Sequence, residues 1–354
     1  MALSRLQVTD FRCLQSADMV FDSRFTLISG VNASGKTSLL EAIYVLGRGR
    51  SFRTRRLDNL IRVGSTRFVV FGEVELGERR LGMGVEGSSE GLRARIAGEQ
   101  AGSLAELAST LPVQIIDPDL HQLIEEGPGR RRRFIDWGVF HVEHTFLANW
   151  QRYQQVLRQR NAALRLRQVR SVVSAWDGEL VRLGTLIDDA RSRYLAQLST
   201  IASTLARRLL GMQLELAYRS GWPRDASLES ALRDCWTHDF ERGSTSVGPQ
   251  RGELVIRLDG GLVKDRISRG QQKLLAAALL VAQLRLFPRD ALIKPTLLLD
   301  DPAAELDSEH LLSLISELTA ESLQLVVTSL DPTFGAFGAP GMHYSVQQGR
   351  INSL

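Results

Sequence analysis

Polar and apolar positions along the chain follow two periods. Residues 3–9 alternate, with Leu6 and Val8 on one face, as a half-buried strand does, and apolar runs at 19–21 and 25–28 predict two further strands. Residues 36–46 carry Leu, Ala and Ile at helical spacing, and Arg67–Leu76 reads as strand again. From 78 to 102 Gly and Ser interrupt short strand-like runs, which predicts hairpins, and 111–120 is a strand broken by Asp117 and Pro118. The texture changes at PGRRRR, residues 128–133. From 134 to about 212 apolar residues recur every three or four positions, among them Trp150, Tyr153, Leu157, Leu164, Ile187, Tyr194 and Leu198. That block predicts two helices of about 25–35 residues, each about 40–50 Å long, with a turn at 171–174. A strand at 213–218, a helix at 228–236 and a hairpin strand at Glu253–Leu258 follow. An apolar helix over 267–286, a continuous apolar strand at 295–301, a helix over Ser308–Thr319 and a last buried strand at 323–330 complete the pattern. The expected class is α/β: a head with a mixed sheet and helices, from residues 1–127 and 243–354, and an inserted, mainly helical second lobe at 128–242.

The most informative stretch is TLISGVNASGKTSLLE, residues 26–41, where a short apolar strand runs into GVNASGKT and then into a helix. This fits the phosphate-loop pattern GxxxxGK(S/T) in the context that the pattern requires. Gly30 and Gly35 let the backbone bend, so that the N–H groups of Val31, Asn32, Ala33, Ser34 and their neighbours point inward. The start of the helix adds its positive dipole end. Lys36 would reach the outer phosphates, as a catalytic contact, and Thr37 would hold Mg²⁺. A glycine-rich strand-to-helix turn is the plain alternative. Only four of the 44 basic residues are Lys, at 36, 264, 273 and 294, so a compact ammonium stands at 36 in a chain that otherwise uses Arg.

Two further regions carry candidate chemistry. ISRGQQKLL opens a helix with Ser268 and, three residues on, Gln271, a capping box. Ser268, Gly270 and Gln271 at that helix start make a second anion site without its own Lys, able only to complete a phosphate pocket built elsewhere; a well-capped core helix would look the same. PTLLLDD then places Asp300 and Asp301 at the carboxyl end of a buried strand. There Asp300 would take Mg²⁺ and Asp301 would polarise an attacking water. Gln114 is a candidate for contact with the metal or with water near the terminal phosphate.

Composition narrows the partners. At 354 residues and 44% apolar the chain can bury a large core, and two cysteines, Cys13 and Cys235, argue against a disulfide framework or a structural zinc site. No stretch approaches 18 uninterrupted apolar residues, so no membrane partner is expected. A net charge of +4 permits nucleic acid. The cluster Arg48, Arg50, Arg53, Arg55 and Arg56 suits contact with nucleotide or DNA phosphate and equally suits a solvated loop. Between 151 and 193 Arg outnumbers acids, which favours a DNA-contacting face over a solvated helix surface.

With these pieces placed, the chain resembles the RecF family of bacterial recombination mediators, relatives of the ATP-binding-cassette ATPases of chromosome-maintenance proteins. The resemblance is carried in order by VTDFRCL, GVNASGKTSLLEAIYVLGRGRSFR, PVQIIDPDLHQLIEEGPGRRRRFIDWGVFH, RQRNAALR, GPQRGEL, SRGQQKLL and LLLDDPAAELD. It implies a P-loop ATP-binding-cassette head with residues 30–37 as Walker A, Gln114 as the Q-loop glutamine, 268–273 as the signature, Asp300 and Asp301 as Walker B and 304–307 as the D-loop. It also implies ATP and Mg²⁺ as cofactors, DNA (duplex, gapped or junction) as partner and a homodimer that closes on two ATP molecules. RecR/RecO-type mediators and recombinase are implied as further partners. The implied role is a slow, DNA-stimulated ATPase of recombinational repair and the SOS response, in the cytoplasm at the nucleoid. Departures from the family pattern are Gln250, where His is usual in GPQRGEL, and Thr328 and Ser329, where many cassettes carry a switch His. Asp301 likewise replaces the Glu of transporter cassettes. Alternative readings are an ATP-gated DNA clamp with incidental turnover and a transporter ATPase subunit; the 264 residues between Lys36 and Asp300 argue against the latter.

Overall fold

A computed structural model describes residues 2–77, 79–263, 266–288 and 293–354. The chain folds as two compact units, Met1–Leu120 with Arg289–Leu354, and His121–Pro288. The first unit opens with β1 (Leu3–Phe11), β2 (Leu14–Val20), β3 (Phe25–Ser29) and α1 (Lys36–Arg48). β4 (Arg67–Leu76), β5 (Arg79–Ser88), β6 (Gly91–Ile96), β7 (Glu99–Gln100), α2 (Leu104–Thr110) and β8 (Val113–Ile116) follow.

The second unit comprises α3 (Gln122–Glu125), α4 (Pro128–Val142), α5 (Phe146–Arg165), α6 (Arg170–Ser174) and α7 (Asp177–Leu210), then β9 (Leu214–Arg219), α8 (Leu228–Asp234) and α9 (Trp236–Arg242). It closes with β10 (Glu253–Leu258), β11 (Gly261–Leu262) and α10 (Arg269–Arg285). The chain returns to the first unit with β12 (Thr296–Leu299), α11 (Pro302–Glu305), α12 (Ser308–Thr319), β13 (Gln324–Ser329), β14 (Met342–Gln347) and β15 (Arg350–Ser353).

Among the described residues the first unit holds two six-stranded sheets, ordered β2-β1-β4-β5-β6-β7 and β15-β14-β3-β13-β12-β8. The first is antiparallel, and its alternating burial leaves one face polar, as the alternating sequence requires. In the second, β14, β3, β13, β12 and β8 run parallel. A parallel sheet is covered on both faces, which is why TLLL and QLVVTS are continuous buried runs. One core joins α1 to both sheets through residues such as Leu6, Phe11, Ile28, Leu39, Leu298 and Val326. Gln324 ties the sheets further: its amide donates to the carbonyls of Leu3 (2.8 Å) and Asp22 (2.9 Å) and accepts from the N–H of Leu3 and the hydroxyl of Thr296, both at 3.0 Å.

The helical block departs from the expected pair of long helices. α7 has 34 residues, but the first half is split into α4 and α5 because Glu143 is extended (φ −111°, ψ 101°) and its carboxylate binds Arg193 at 3.0 Å. The reversal falls earlier than 171–174. Arg167 adopts φ +54° and donates to the carbonyls of Phe240 (2.6 Å) and Glu241 (3.1 Å), so that 170–174 is itself helical. The compact units also divide the chain elsewhere than at 127 and 242. α10 packs along α7, and β9 and β10 pack on α7 and α4, so 243–288 groups with the helices. The 323–330 strand is not the last. β14 adds to the open side of β3, a strand disguised by the polar residues of MHYSVQ, of which Tyr344 and Val346 are buried.

Candidate functional site

Register brings the carboxyl ends of the parallel strands to one edge. Ser329 pairs with Ser29, Leu299 with Val327, and Leu299 with Ile116. The 30–35 loop leaves β3 at that edge, between β13 and β14, and the N–H of Gly30 donates to the carbonyl of Ser329 at 3.2 Å. Open α/β sheets bind their ligands in this position.

Local geometry explains the loop's residue types. Gly30 takes φ +156°, and a Cβ there would lie 2.4 Å from the carbonyl oxygen of Val346. Gly35, at φ +117°, caps α1. The ammonium of Lys36 folds back over the loop onto the carbonyls of Gly30 (2.6 Å) and Val31 (3.0 Å). Burial lowers its pKa, opposed by the charges of Asp301 and Asp300. The Ser34 hydroxyl is buried with no hydrogen-bond partner among the described residues, and Asn32 and Ala33 are exposed. An unpartnered buried hydroxyl and a start of α1 without a side-chain cap fit a bound phosphate.

Thr37 connects this loop to the strand end. Its hydroxyl lies 3.0 Å from both oxygens of Asp300. Thr328, fully buried on β13, sits 2.9 Å from Oδ1 of Asp300 and accepts from the N–H of Asp301 at 2.9 Å. Burial pushes the Asp300 carboxyl up, held back first by the hydroxyls of Thr328 and Thr37 and then by the charges of Arg53 and Lys36. A buried carboxylate beside a hydroxyl is an oxygen donor set suited to Mg²⁺. Asp301 adopts the left-handed conformation (φ +46°, ψ 59°), and burial, then repulsion from Asp300 and Glu305, raises its carboxyl against the pull of Lys36.

Lys36, Thr37, Asp300 and Asp301 therefore converge as the sequence indicates. Gln114 does not join them. It pairs with Leu297, three residues before Asp300, which sets it back roughly 10 Å along the strand at 3.3 Å per residue. The β8 residue at the edge is Asp117, buried and next after Ile116, whose carbonyl accepts from the N–H of Asp300 at 2.9 Å. An acid directly after an apolar strand was the available signal, the same one that marks Asp300. Arg12 and Glu41 carry no such signal. Arg12 grips the fully buried Glu41 of α1 with two hydrogen bonds (2.8 and 2.7 Å), and Ser51 and Arg53 reach the same carboxylate. Of the Arg cluster, Arg48 lies over the Tyr44 ring at 5.6 Å, while Arg50, Arg53, Arg55 and Arg56 are exposed.

In the second unit the capping box at α10 forms as expected, with Ser268 Oγ on the N–H of Gln271 (3.3 Å) and Gln271 Oε1 on the N–H of Ser268 (3.0 Å). Ser268, Arg269 and Gly270 are exposed at the helix start. Gln250 is structural: it accepts from the Tyr153 hydroxyl and donates to the carbonyl of Val247 at 2.8 Å.

Comparison with known proteins gives the same picture across the whole chain. Residues 2–348 match the RecF/RecN/SMC N terminal domain. DNA replication and repair protein RecF of Stutzerimonas stutzeri is 40% identical over 363 residues, covering 100% of this chain and 98% of that protein, and the protein of the same name from Pseudomonas entomophila is 40% identical over 360 residues, 99% and 98%. The solved structure of the recombination mediator protein RecF with ATP, of the RecFOR pathway, superposes with a TM-score of 0.90 at 26% identity over 100% of this chain and 97% of that one. An Smc head domain from Pyrococcus furiosus shares the fold, with a TM-score of 0.62 at 17% identity over 100% and 96%. With a P-loop head of this topology and likeness that runs from end to end, the chain belongs to the RecF family.

Proposed function

We propose that the chain is an ATP- and Mg²⁺-dependent DNA-binding protein of replication and recombinational repair, working as a homodimer with slow, DNA-stimulated ATP hydrolysis. The observation that carries the nucleotide part is the contact of Thr37 with Asp300, which joins the phosphate loop to the acidic strand end. The loop N–H groups and Lys36 bind and orient the phosphates, and Ser34 offers its unpartnered hydroxyl. Thr37 and Asp300 would hold Mg²⁺, which when bound neutralises charge on the phosphates. Asp301 orients the attacking water, with its carboxylate set by the left-handed backbone. Thr328 fixes both acids through one hydroxyl.

Dimerisation rests on a count. The chain supplies one phosphate loop and one signature start, so each nucleotide lies between Lys36 of one copy and Ser268 of the other. Nucleotide then biases the dimer toward closure on duplex, gapped or junction DNA, and hydrolysis releases it. RecR/RecO-type mediators and recombinase are the partners this role requires, with the cytoplasmic nucleoid as its place. Family membership leaves the transporter reading without support. The clamp with incidental turnover gains from Thr328 and Ser329, which stand where many cassettes carry a switch His, the Thr328 hydroxyl being committed to Asp300 and Asp301. The decisive variant is Ser268→Arg, followed by sedimentation with ATP. Loss of the ATP-dependent dimer with nucleotide binding intact supports the sandwich; normal dimerisation removes it.

A further inference from the structure

The turn between α5 and α7 exposes aliphatic side chains that the helices do not need to expose. Leu166 is 71% exposed, Val169 66% and Val172 45%, at successive spacings of three. The inner side of the same turn is satisfied: Ala163, Leu164 and Val173 form a small core of their own with Trp236 and Phe240 against it. The outer residues are therefore not a core that failed to close.

The segment that carries them has one sign of charge, and the exposed acid beside it is Glu241 of α9, whose carbonyl Arg167 binds. Residues 144–176 contain no Asp or Glu, and Arg stands at 152, 158, 160, 165, 167 and 170. Arg160 is used internally, by Asp177 and Asp239, and Arg152 pairs with Glu179 at 3.6 Å. Arg167 lies over the Phe240 ring at 5.0 Å and spends its guanidinium on the carbonyls of Phe240 and Glu241, whereas Arg170 lies over the Trp236 ring at 5.1 Å, which holds its exposed guanidinium plane in place beside the aliphatic residues, with exposed Arg165 one position before Leu166.

We infer that this turn is a docking surface for an acidic segment of a protein partner that carries spaced aliphatic or aromatic residues. The guanidinium groups of Arg170, fixed over Trp236, and of exposed Arg165 receive carboxylates in forked geometry, and Leu166, Val169 and Val172 receive the apolar side chains between them. Phosphate tracking along DNA uses the charges alone and gives three exposed aliphatic residues no role, so a protein segment accounts for more of the surface than duplex does.

The test uses the full chain and a fluorescent 14-residue peptide that alternates Asp/Glu pairs with Leu and Phe, read by anisotropy. A second peptide has Ser at the apolar positions. Two variants are compared, Leu166→Ser/Val169→Ser/Val172→Ser and Arg165→Glu/Arg170→Glu, each with its thermal midpoint and its retention on duplex DNA. The expected result is saturable binding that falls at least tenfold in either variant and with the Ser peptide, at unchanged midpoint. Absence of binding to the unaltered chain, or equal binding by the aliphatic variant, overturns the inference. Loss of DNA retention in the aliphatic variant with peptide binding intact assigns the surface to DNA instead.

Discussion

Replacing Thr328 by Val changes one buried hydroxyl into a methyl of nearly the same shape and tests how the two acids are held. The hydroxyl accepts from the Asp301 N–H at 2.9 Å and lies 2.9 Å from Asp300 Oδ1, with the Leu299 carbonyl at 3.3 Å as a lesser acceptor. Valine leaves the Asp301 N–H and one oxygen of Asp300 without that partner, at about 1–3 kcal/mol per buried group, and Thr37 still serves Asp300. A total near 3 kcal/mol corresponds to a fall in thermal midpoint of roughly 6–12 °C for a unit of this size. Asp301 also loses a bond that keeps it at φ +46°, a conformation costing about 1–3 kcal/mol in a non-glycine residue, so Mg²⁺-dependent ATP binding and turnover fall as well. Thr328→Ser keeps the hydroxyl and removes one methyl, and should stay within about 1 kcal/mol of the natural chain. The assay is scanning calorimetry of the nucleotide-free protein beside titration of a fluorescent ATP analogue with and without Mg²⁺. If Val matched the natural chain while Ser was destabilised, packing of the methyl would be the role of Thr328 and the positioning account would be wrong.

Gly30→Ala puts a Cβ 2.4 Å from the Val346 carbonyl and 2.9 Å from Ser34 Oγ, so the loop must shift; equilibrium dialysis should show ATP affinity reduced more than tenfold in a chain that still unfolds cooperatively. Arg160→Met strands Asp239, which is fully buried, and should cost about 3–5 kcal/mol in urea unfolding, with Arg160→Met/Asp239→Leu recovering part of it. The Asp18 carboxyl, hydrogen-bonded by Arg5 and Gln7, is lowered from 3.8 to about 2. Its contribution is therefore present above pH 3.8 and lost as the pH falls through about 2. Asp18→Asn should flatten that part of the acid-denaturation curve and change nothing at pH 7 beyond the small, salt-screened share of a half-exposed pair.

Where one local rule acts alone, the sequence is a sufficient guide. Ser268 and Gln271 form their capping box because both partners lie within one turn, and α12 spans Ser308–Thr319 because Asp307 caps it and no β-branched run interrupts it. The loop from Gly30 to Thr37 and the acids after LLL were legible for the same reason: strand, turn and helix are consecutive. Non-local pairing was not legible. Gln114 reads as a site residue from its strand and from the family resemblance, whereas its backbone distance from Asp300 is set by the β8–β12 register, which no residue near Gln114 encodes. β14 is polar enough to read as loop and becomes a strand only because β3 presents an open side. Glu41, on an otherwise apolar helix face, gave no sign of its partner Arg12, 29 positions earlier.

The strand that carries the phosphate loop has both of its neighbours, β13 and β14, near the other end of the chain. During synthesis β3 emerges roughly 300 residues before either, an interval of about 15–60 s at ribosomal rates. The whole of His121–Pro288 is made in that interval and has its own hydrophobic contacts to collapse around, while FTLIS waits with two unpaired edges. Nucleotide cannot template the early chain, since the Asp300 end of its pocket does not yet exist. The ATP site is thus completed only once Asp300 and the strands beside β3 are made, and synthesis stopped after residue 288 would leave FTLIS as an orphaned, aggregation-prone strand.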